Sequence, residues 1–341
     1  LPFLGAAREF GTDLPALLTA ARRQHGDVFT LVVAGKRLTF VLDPLDFPEV
    51  LRRVDDLGFD EIGEDISRQA FGNTRASETP EVRLATHENY AAHLKTAHLA
   101  PLSTGFGARI DPLITALATP DFTPRSLFDM VESAVFHAGT DALFGAGVAD
   151  PAALATFRRF DAVFQLLAAG VPARLLPGVL PAQRWLAARV GALRPDASDF
   201  VASRDAMFKR LLPAKDRPHL QLGIRWAAHA NTIPAAFWTL AHVLADPAAH
   251  ATLRAEVDEV LATSDGACRR DQLRRMPRLD SAVSEALRLA SSSLTIRLVR
   301  RPIVLQLDSG GAWSLRQGDR VCLAPCVTHR DPELFPEPDR Y

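Results

Sequence analysis

Ala230-Asn231-Thr232-Ile233-Pro234-Ala235-Ala236-Phe237-Trp238 lies inside the most apolar long run of the chain, residues 219–245. Those 27 residues would make about 40 Å of helix, enough to cross a domain of this size. Pro234 has no amide to offer the carbonyl of Ala230, and its ring pushes that turn apart, so a kink is expected at Ala230 and Asn231. Asn231 and Thr232 put polar side chains on the same turn. Two readings follow. Thr232 bonds back to a carbonyl one turn earlier, as buried threonines commonly do, or the turn is a widened groove that holds a small ligand such as dioxygen or water. Arg225, His229 and Asn231 interrupt the run, so it is a core helix rather than a membrane span.

Downstream of this helix, Asp280 is a plausible N-cap for a helix with Val283, Ala286 and Leu287 at helical spacing. Glu285 and Arg288, three apart, share one of its faces. On an exposed helix such a pair contributes a few tenths of a kcal/mol, about 0.2–0.5. Arg297 follows across Ser291-Ser292-Ser293-Leu294 and opens a strand-like run, where it could clamp a carboxylate. His329-Arg330-Asp331-Pro332-Glu333-Leu334-Phe335-Pro336-Glu337-Pro338 closes the series as a proline-punctuated loop.

Upstream, residues 44–262 read as helix almost throughout, broken by Gly and Pro clusters near 101–107, 146–151, 170–181 and 213–218. Residues 29–33 and 38–42 alternate around Gly35-Lys36 as a hairpin. Strand character returns at 299–307 and 312–324, with Asp308-Ser309-Gly310-Gly311 between them. The expected fold is therefore mainly α with a small β-rich lobe. Strands from near residue 30 and near residue 320 would most simply share that lobe, so residues 1–341 are expected to form a single domain.

With 39 basic and 40 acidic residues the net charge is −1, which leaves no electrostatic footprint for nucleic acid and favours a small apolar substrate. Three cysteines, Cys268, Cys322 and Cys326, are too few for a disulfide framework and suggest a reducing compartment. Cys322, Cys326 and His329 lack a fourth ligand and the usual zinc spacing. They read as core or loop thiols, with Cys268 in a polar turn. The start at Leu1 without methionine, and the untethered loop at the other end, read as a chain continuing in both directions.

The order of a proline-kinked helix carrying Asn-Thr, then Glu-x-x-Arg, the spaced arginine and His-Arg-Asp-Pro-Glu resembles the cytochrome P450 superfamily. Residues 230–238 and 285–297 are similar to the branch of cholesterol 7α-hydroxylase, sterol 12α-hydroxylase and prostacyclin synthase. Leu4-Gly5-Ala6-Ala7-Arg8-Glu9-Phe10-Gly11, His25-Gly26-Asp27-Val28-Phe29-Thr30, and Phe160-Asp161-Ala162-Val163-Phe164 followed by Ala169-Gly170-Val171-Pro172 extend that likeness along the chain. The resemblance implies haem b as cofactor, NADPH-derived electrons through a reductase or a ferredoxin-type donor, and a lipid substrate. It implies Glu285 and Arg288 as a buried structural ion pair and Arg297 on a haem propionate. Thr232, with Ala230, would stand above the iron in the oxygen groove. Asn231 stands where most of the superfamily carries an acid, so protons would pass through water and the Thr232 hydroxyl. Trp226, Ala227, Ser293 and Leu294 would line the substrate side.

The Phe-x-x-Gly loop with its haem-ligating cysteine is absent from residues 1–341, and that ligand is expected beyond Tyr341, which would leave the piece inactive by itself. The helix with Trp-x-x-x-Arg is not found near residues 87–100, and 94–99 looks shortened. The reaction the resemblance implies is insertion of one oxygen atom into a sterol-like C–H bond. Prostacyclin synthase lacks the hydroxyl corresponding to Thr232, which tilts the reading away from an isomerase or dehydratase of lipid peroxides. A haem-free lipid-binding protein is the third reading. The resemblance also implies the endoplasmic reticulum membrane, with an anchor ahead of Leu1, against a cytoplasmic protein.

Overall fold

The computed structural model describes residues 5–95, 98–118, 124–263 and 270–341. Leu4, Thr96, Ala97 and Cys268 lie outside them. Among the described residues, eleven helices of eleven or more residues dominate. They are α1 (Leu14–His25), α2 (Pro80–His93), α3 (Ala100–Leu117), α4 (Leu127–Phe144), α5 (Pro151–Asp161), α6 (Val179–Gly191), α7 (Asp199–Leu211), α8 (Arg217–Ala230), α9 (Thr232–Ala245), α10 (Pro247–Ala262) and α11 (Pro277–Ala290). Seven strands are present among the described residues: β1 (Val28–Val33), β2 (Lys36–Val41), β3 (Leu57–Gly58), β4 (Thr295–Val299), β5 (Ile303–Gln306), β6 (Ala312–Leu315) and β7 (Arg320–Leu323). No helix among the described residues is long and apolar enough to cross a membrane.

The chain forms two compact units, Leu1–Gly63 with Glu285–Tyr341, and Glu64–Ser284. The first unit holds all seven strands. Its five-stranded sheet runs β1-β2-β7-β4-β3, with β2 parallel to β7 and the other neighbours antiparallel. The amino-terminal hairpin and the carboxy-terminal strands thus meet in one sheet, as the sequence pattern suggests. Alternation buries both faces. Leu38 and Phe40 of β2 and Cys322 of β7 join one apolar cluster, whereas Val41, Val321 and Leu323 join another on the opposite side. The hairpin turns on Ala34-Gly35 rather than Gly35-Lys36. Both residues have positive φ, 47° and 76°, the twist that a two-residue turn between right-twisted strands requires. The run 312–324 divides into β6 and β7 because the Asp319 carboxylate accepts the Arg316 amide at 3.1 Å and closes a turn. β5 and β6 pair as a separate hairpin around residues 308–311.

In the second unit, helix starts are written in the sequence. Thr79-Pro80, Asp150-Pro151 and Asp246-Pro247 each place a capping oxygen ahead of a proline, and all three side chains accept amides of the first turn. Ser126 and Ser198 cap α4 and α7 in the same way. α4 is the central packing element, meeting α3, α8 and α9. Its Val131, Val135, Phe136 and Phe144 enter a core with Phe157, Phe160 and Leu186.

In the first unit the residues after β7 have little regular structure and are held by side chains. Arg288 is 8% exposed and grips Glu285 with two bonds, Nε to Oε2 at 2.8 Å and Nη2 to Oε1 at 2.6 Å. Its remaining donors reach the carbonyls of His329 at 2.5 Å, Pro338 at 2.7 Å and Arg340 at 3.3 Å, with the guanidinium 4.8 Å from the Phe335 ring centroid. Arg22 of α1 donates to Asp331 at 2.6 Å and to Asp27 at 2.5 Å. Asp331 also accepts the Glu333 amide at 2.9 Å.

Arg288→Lys keeps the charge and removes the planar fork, so most of these bonds are lost; the expected destabilisation is about 3 kcal/mol in denaturant unfolding, with Glu285→Gln costing less. Arg22, and then the Glu333 amide, hold the Asp331 carboxyl below the usual carboxylate range. Its contribution is therefore present above the unfolded pKa of about 3.9 and is lost as pH falls through the folded value. Asp331→Asn should cost about 1.5 kcal/mol at pH 7, and the gap to the natural protein should close in melting curves taken below about pH 4.

Candidate functional site at the helix break

The apolar run 219–245 folds as two helices, α8 and α9, interrupted at Asn231 with φ −103° and ψ −34°. Pro234 explains the position. Without its amide the Ala230 carbonyl loses its helical partner, and the ladder resumes with the Ala235 amide on the Asn231 carbonyl at 3.1 Å. Asn231 and Thr232 are exposed, and Ala230 is half-buried.

Thr232 makes no side-chain hydrogen bond among the described residues. The back-bond that a buried threonine would make belongs instead to Thr239, whose Oγ1 donates to the Ala235 carbonyl at 2.8 Å. The Thr232 side chain helps to line a cavity of about 260 Å³ within the second unit. Leu102 and Phe106 of α3 and Val135 and Leu143 of α4 form most of its wall, and His229 and Thr232 are the polar residues on it. An uncommitted hydroxyl at the rim of an apolar cavity is available for a small polar ligand.

Trp226 is more firmly held than a pocket residue needs to be. Its indole donates to Asp161 at 2.8 Å and stacks on Phe164 at 3.7 Å between ring centroids. Burial raises the Asp161 carboxyl above the usual range, and the Trp226 bond opposes that shift. Ala227, the next residue, is exposed.

The other candidate residues belong to the first unit. Ser293 is exposed and shares a hydrogen bond with Ser291 at 3.0 Å, and Leu294 packs on the cluster under β2. Arg297 on β4 differs from the two arginines that follow the same strand. Arg300 pairs with Glu61 at 2.8 Å and Arg301 with Asp56 at 2.6 Å. Arg297 is half-buried, donates only to the Ile296 carbonyl at 3.1 Å, faces the Phe59 ring, and has no ion pair among the described residues. Its fork is open to an external anion. Cys322 and Cys326 are buried in the apolar cluster below the sheet, and desolvation pushes the Cys322 thiol up to about 12. A thiol held neutral in this way is a packing group, not a ready thiolate.

Sequence reading did not anticipate the backbone carbonyls that Arg288 collects, because carbonyls carry no residue-type signal. Nor did it assign roles to Gln221, Arg225 and His229. Their signal was present as polar residues in an apolar run.

Comparison with known proteins bears on this geometry. The sequence model of the family described as Cytochrome P450 matches residues 214–341, which include the helix break, Arg288 and Arg297. Cytochrome P450 7B1 of Mus musculus is 31% identical over 364 aligned positions, covering 100% of this chain and 71% of the relative. Cholesterol 7-alpha-monooxygenase of Cricetulus griseus is 31% identical over 381 positions, covering 100% of this chain and 74% of the relative. A 7-alpha-hydroxycholest-4-en-3-one 12-alpha-hydroxylase of Oryctolagus cuniculus is 28% identical over 374 positions, with 100% and 73% covered. A mainly helical chain with a small mixed sheet, matched along its whole length at this identity, belongs to the cytochrome P450 family of haem-dependent oxidoreductases of the monooxygenase class.

Proposed function

We propose that this protein inserts one oxygen atom into a C–H bond of a sterol or a similar lipid, using haem b and electrons that originate in NADPH and arrive through a reductase. The carrying observation is the Thr232 hydroxyl, free of side-chain hydrogen bonds among the described residues, at a helix break beside an apolar cavity. Relatives named as sterol hydroxylases support the substrate class. By the family resemblance the reaction takes place at the endoplasmic reticulum membrane, and residues 1–341 act as one catalytic domain.

The side chains suit haem. A half-buried guanidinium without a carboxylate partner among the described residues, Arg297, is the donor that a propionate needs. Haem, when bound, supplies the dioxygen chemistry. Arg297 would fix the orientation of the ring system through charge-assisted bonds. Glu285 and Arg288 would hold the supporting loop without touching the reacting atoms. Thr232 Oγ1 would hold a water or dioxygen at the break, as donor or acceptor. Asn231 offers amide hydrogens and a carbonyl but no acidic proton, so it would orient water rather than protonate it. Ala230 would leave room on the turn. Ala227, Ser293 and Leu294 would give an apolar or weakly polar lining, with Trp226 as a fixed aromatic wall.

The test uses the full-length protein with reductase, NADPH, a sterol and ¹⁸O-labelled dioxygen. The expected product carries one labelled oxygen for each NADPH consumed, and the reduced carbon monoxide difference spectrum shows the thiolate-type band. Rearrangement of a lipid peroxide without NADPH or label would replace this reading with an isomerase. Thr232→Val should reduce oxygenation on the order of 100-fold, with sterol binding spectra unchanged.

A further inference from the structure

The inner face of α8 is polar where a helix in a core is ordinarily apolar. Gln221, Arg225 and His229 stand four residues apart on that face and are 3%, 0% and 0% exposed. Gln221 Oε1, all three guanidinium nitrogens of Arg225 and His229 Nδ1 are buried without a hydrogen-bond partner among the described residues. On His229, Nε2 is committed, 2.9 Å from Oγ1 of the fully buried Thr140 on α4. Phe136 of α4 packs against both neighbours, its ring centroid 5.0 Å from the Arg225 guanidinium carbon and 5.0 Å from the imidazole.

The cation has no counter-ion within pairing distance among the described residues. Asp141 and Asp150 act on Arg225 through their field only. Asp141 is occupied by the amides of Gly147 and Ala149 at 3.1 and 2.8 Å, and Asp150 by the Ala153 amide and by Arg189. Arg189 adds a like charge. Desolvation lowers Arg225 to about 10, so it remains charged at neutral pH, and lowers His229 to about 3, so its ring is neutral.

A buried, unsolvated guanidinium is strongly unfavourable, and each unmet polar atom adds to that cost. Contact with an aromatic face is too weak to offset it. An anion would answer Arg225 but set an acceptor against the Gln221 carbonyl oxygen. Water both donates and accepts, and an internal water needs two to four polar partners of this kind.

We propose that the buried face of α8 holds a file of internal water molecules bridging Gln221, Arg225 and His229, and that this file supplies water to the cavity at Thr232. His229 belongs to both, since it lines that cavity with Thr232. Gly139 permits the arrangement: a Cβ there would lie 2.8 Å from His229 Cε1. The supply role rests on the monooxygenase reading, in which water must reach Thr232 because Asn231 carries no acidic proton. The file itself does not depend on that reading.

Oxygen-17 magnetic relaxation dispersion on the resting full-length protein measures long-lived internal water without turnover. Arg225→Met and Gln221→Leu are each expected to lose dispersion amplitude relative to the natural protein, while Arg225→Lys retains part of it. Gln221→Leu leaves the buried charge in place and serves as the readout if Arg225→Met does not fold. Unchanged amplitude in the folded variants would overturn the proposal and leave Arg225 dry against Phe136. Product formed per NADPH is then compared in Gln221→Leu and the natural protein. A fall supports the supply role, and equality with lost amplitude overturns that role. Absence of any oxygenated product with the water signal intact would count against the monooxygenase reading and not against the file.

Discussion

The Arg288 guanidinium is the interaction on which the first unit depends. A three-residue-spaced Glu–Arg pair on an exposed helix is worth little, because water competes for both partners. Here the arginine is buried, its fork is filled by Glu285 on one side, and its other donors collect three carbonyls from residues 329–340. That segment has few backbone ladders of its own, so its polar groups need side-chain partners. Lysine could carry the charge but not the geometry. Asp331, bound to Arg22 of α1, ties the same segment to the amino-terminal part of the unit. Residues from both ends of the chain are therefore fixed by two arginines and one sheet.

Other arginines in this protein meet different conditions, and the differences carry functional information. Arg300 and Arg301 find carboxylates. Arg204 is buried among Tyr90, Phe200 and Phe208 and keeps one long bond, Nη2 to the Leu220 carbonyl at 3.5 Å, while its Nε and Nη1 lack a partner among the described residues. Arg297 is partly open and unpaired among the described residues, and Arg225 is closed and unsatisfied. Among the described residues, a half-open guanidinium without an ion pair and a closed one with no hydrogen bond at all support binding proposals, and the paired ones do not. The distinction is energetic rather than compositional, since all of them are the same residue type.

At the helix break, one covalent fact has several consequences. Proline at position 234 removes a single amide, and the ladder fails one turn earlier, where Asn231 and Thr232 stand. Thr239, which lies on an intact stretch, bonds back to the helix, whereas Thr232 does not. The break thus turns a helix-compatible hydroxyl into a free one at a cavity wall.

Much of this was legible from residue order. Pro234 placed the break, and the alternation near residues 30 and 320 foretold a lobe built from both ends, because these signals act through local backbone geometry. Tertiary structure alone decided the turn at Ala34-Gly35, the parallel pairing of β2 with β7, the carbonyls around Arg288 and the burial of Arg225 and His229. Those depend on which surfaces meet in space. A guanidinium in the sequence is equally consistent with a solvated surface charge, an ion pair or an unsatisfied core cation, and only the neighbours that folding brings to it choose among them.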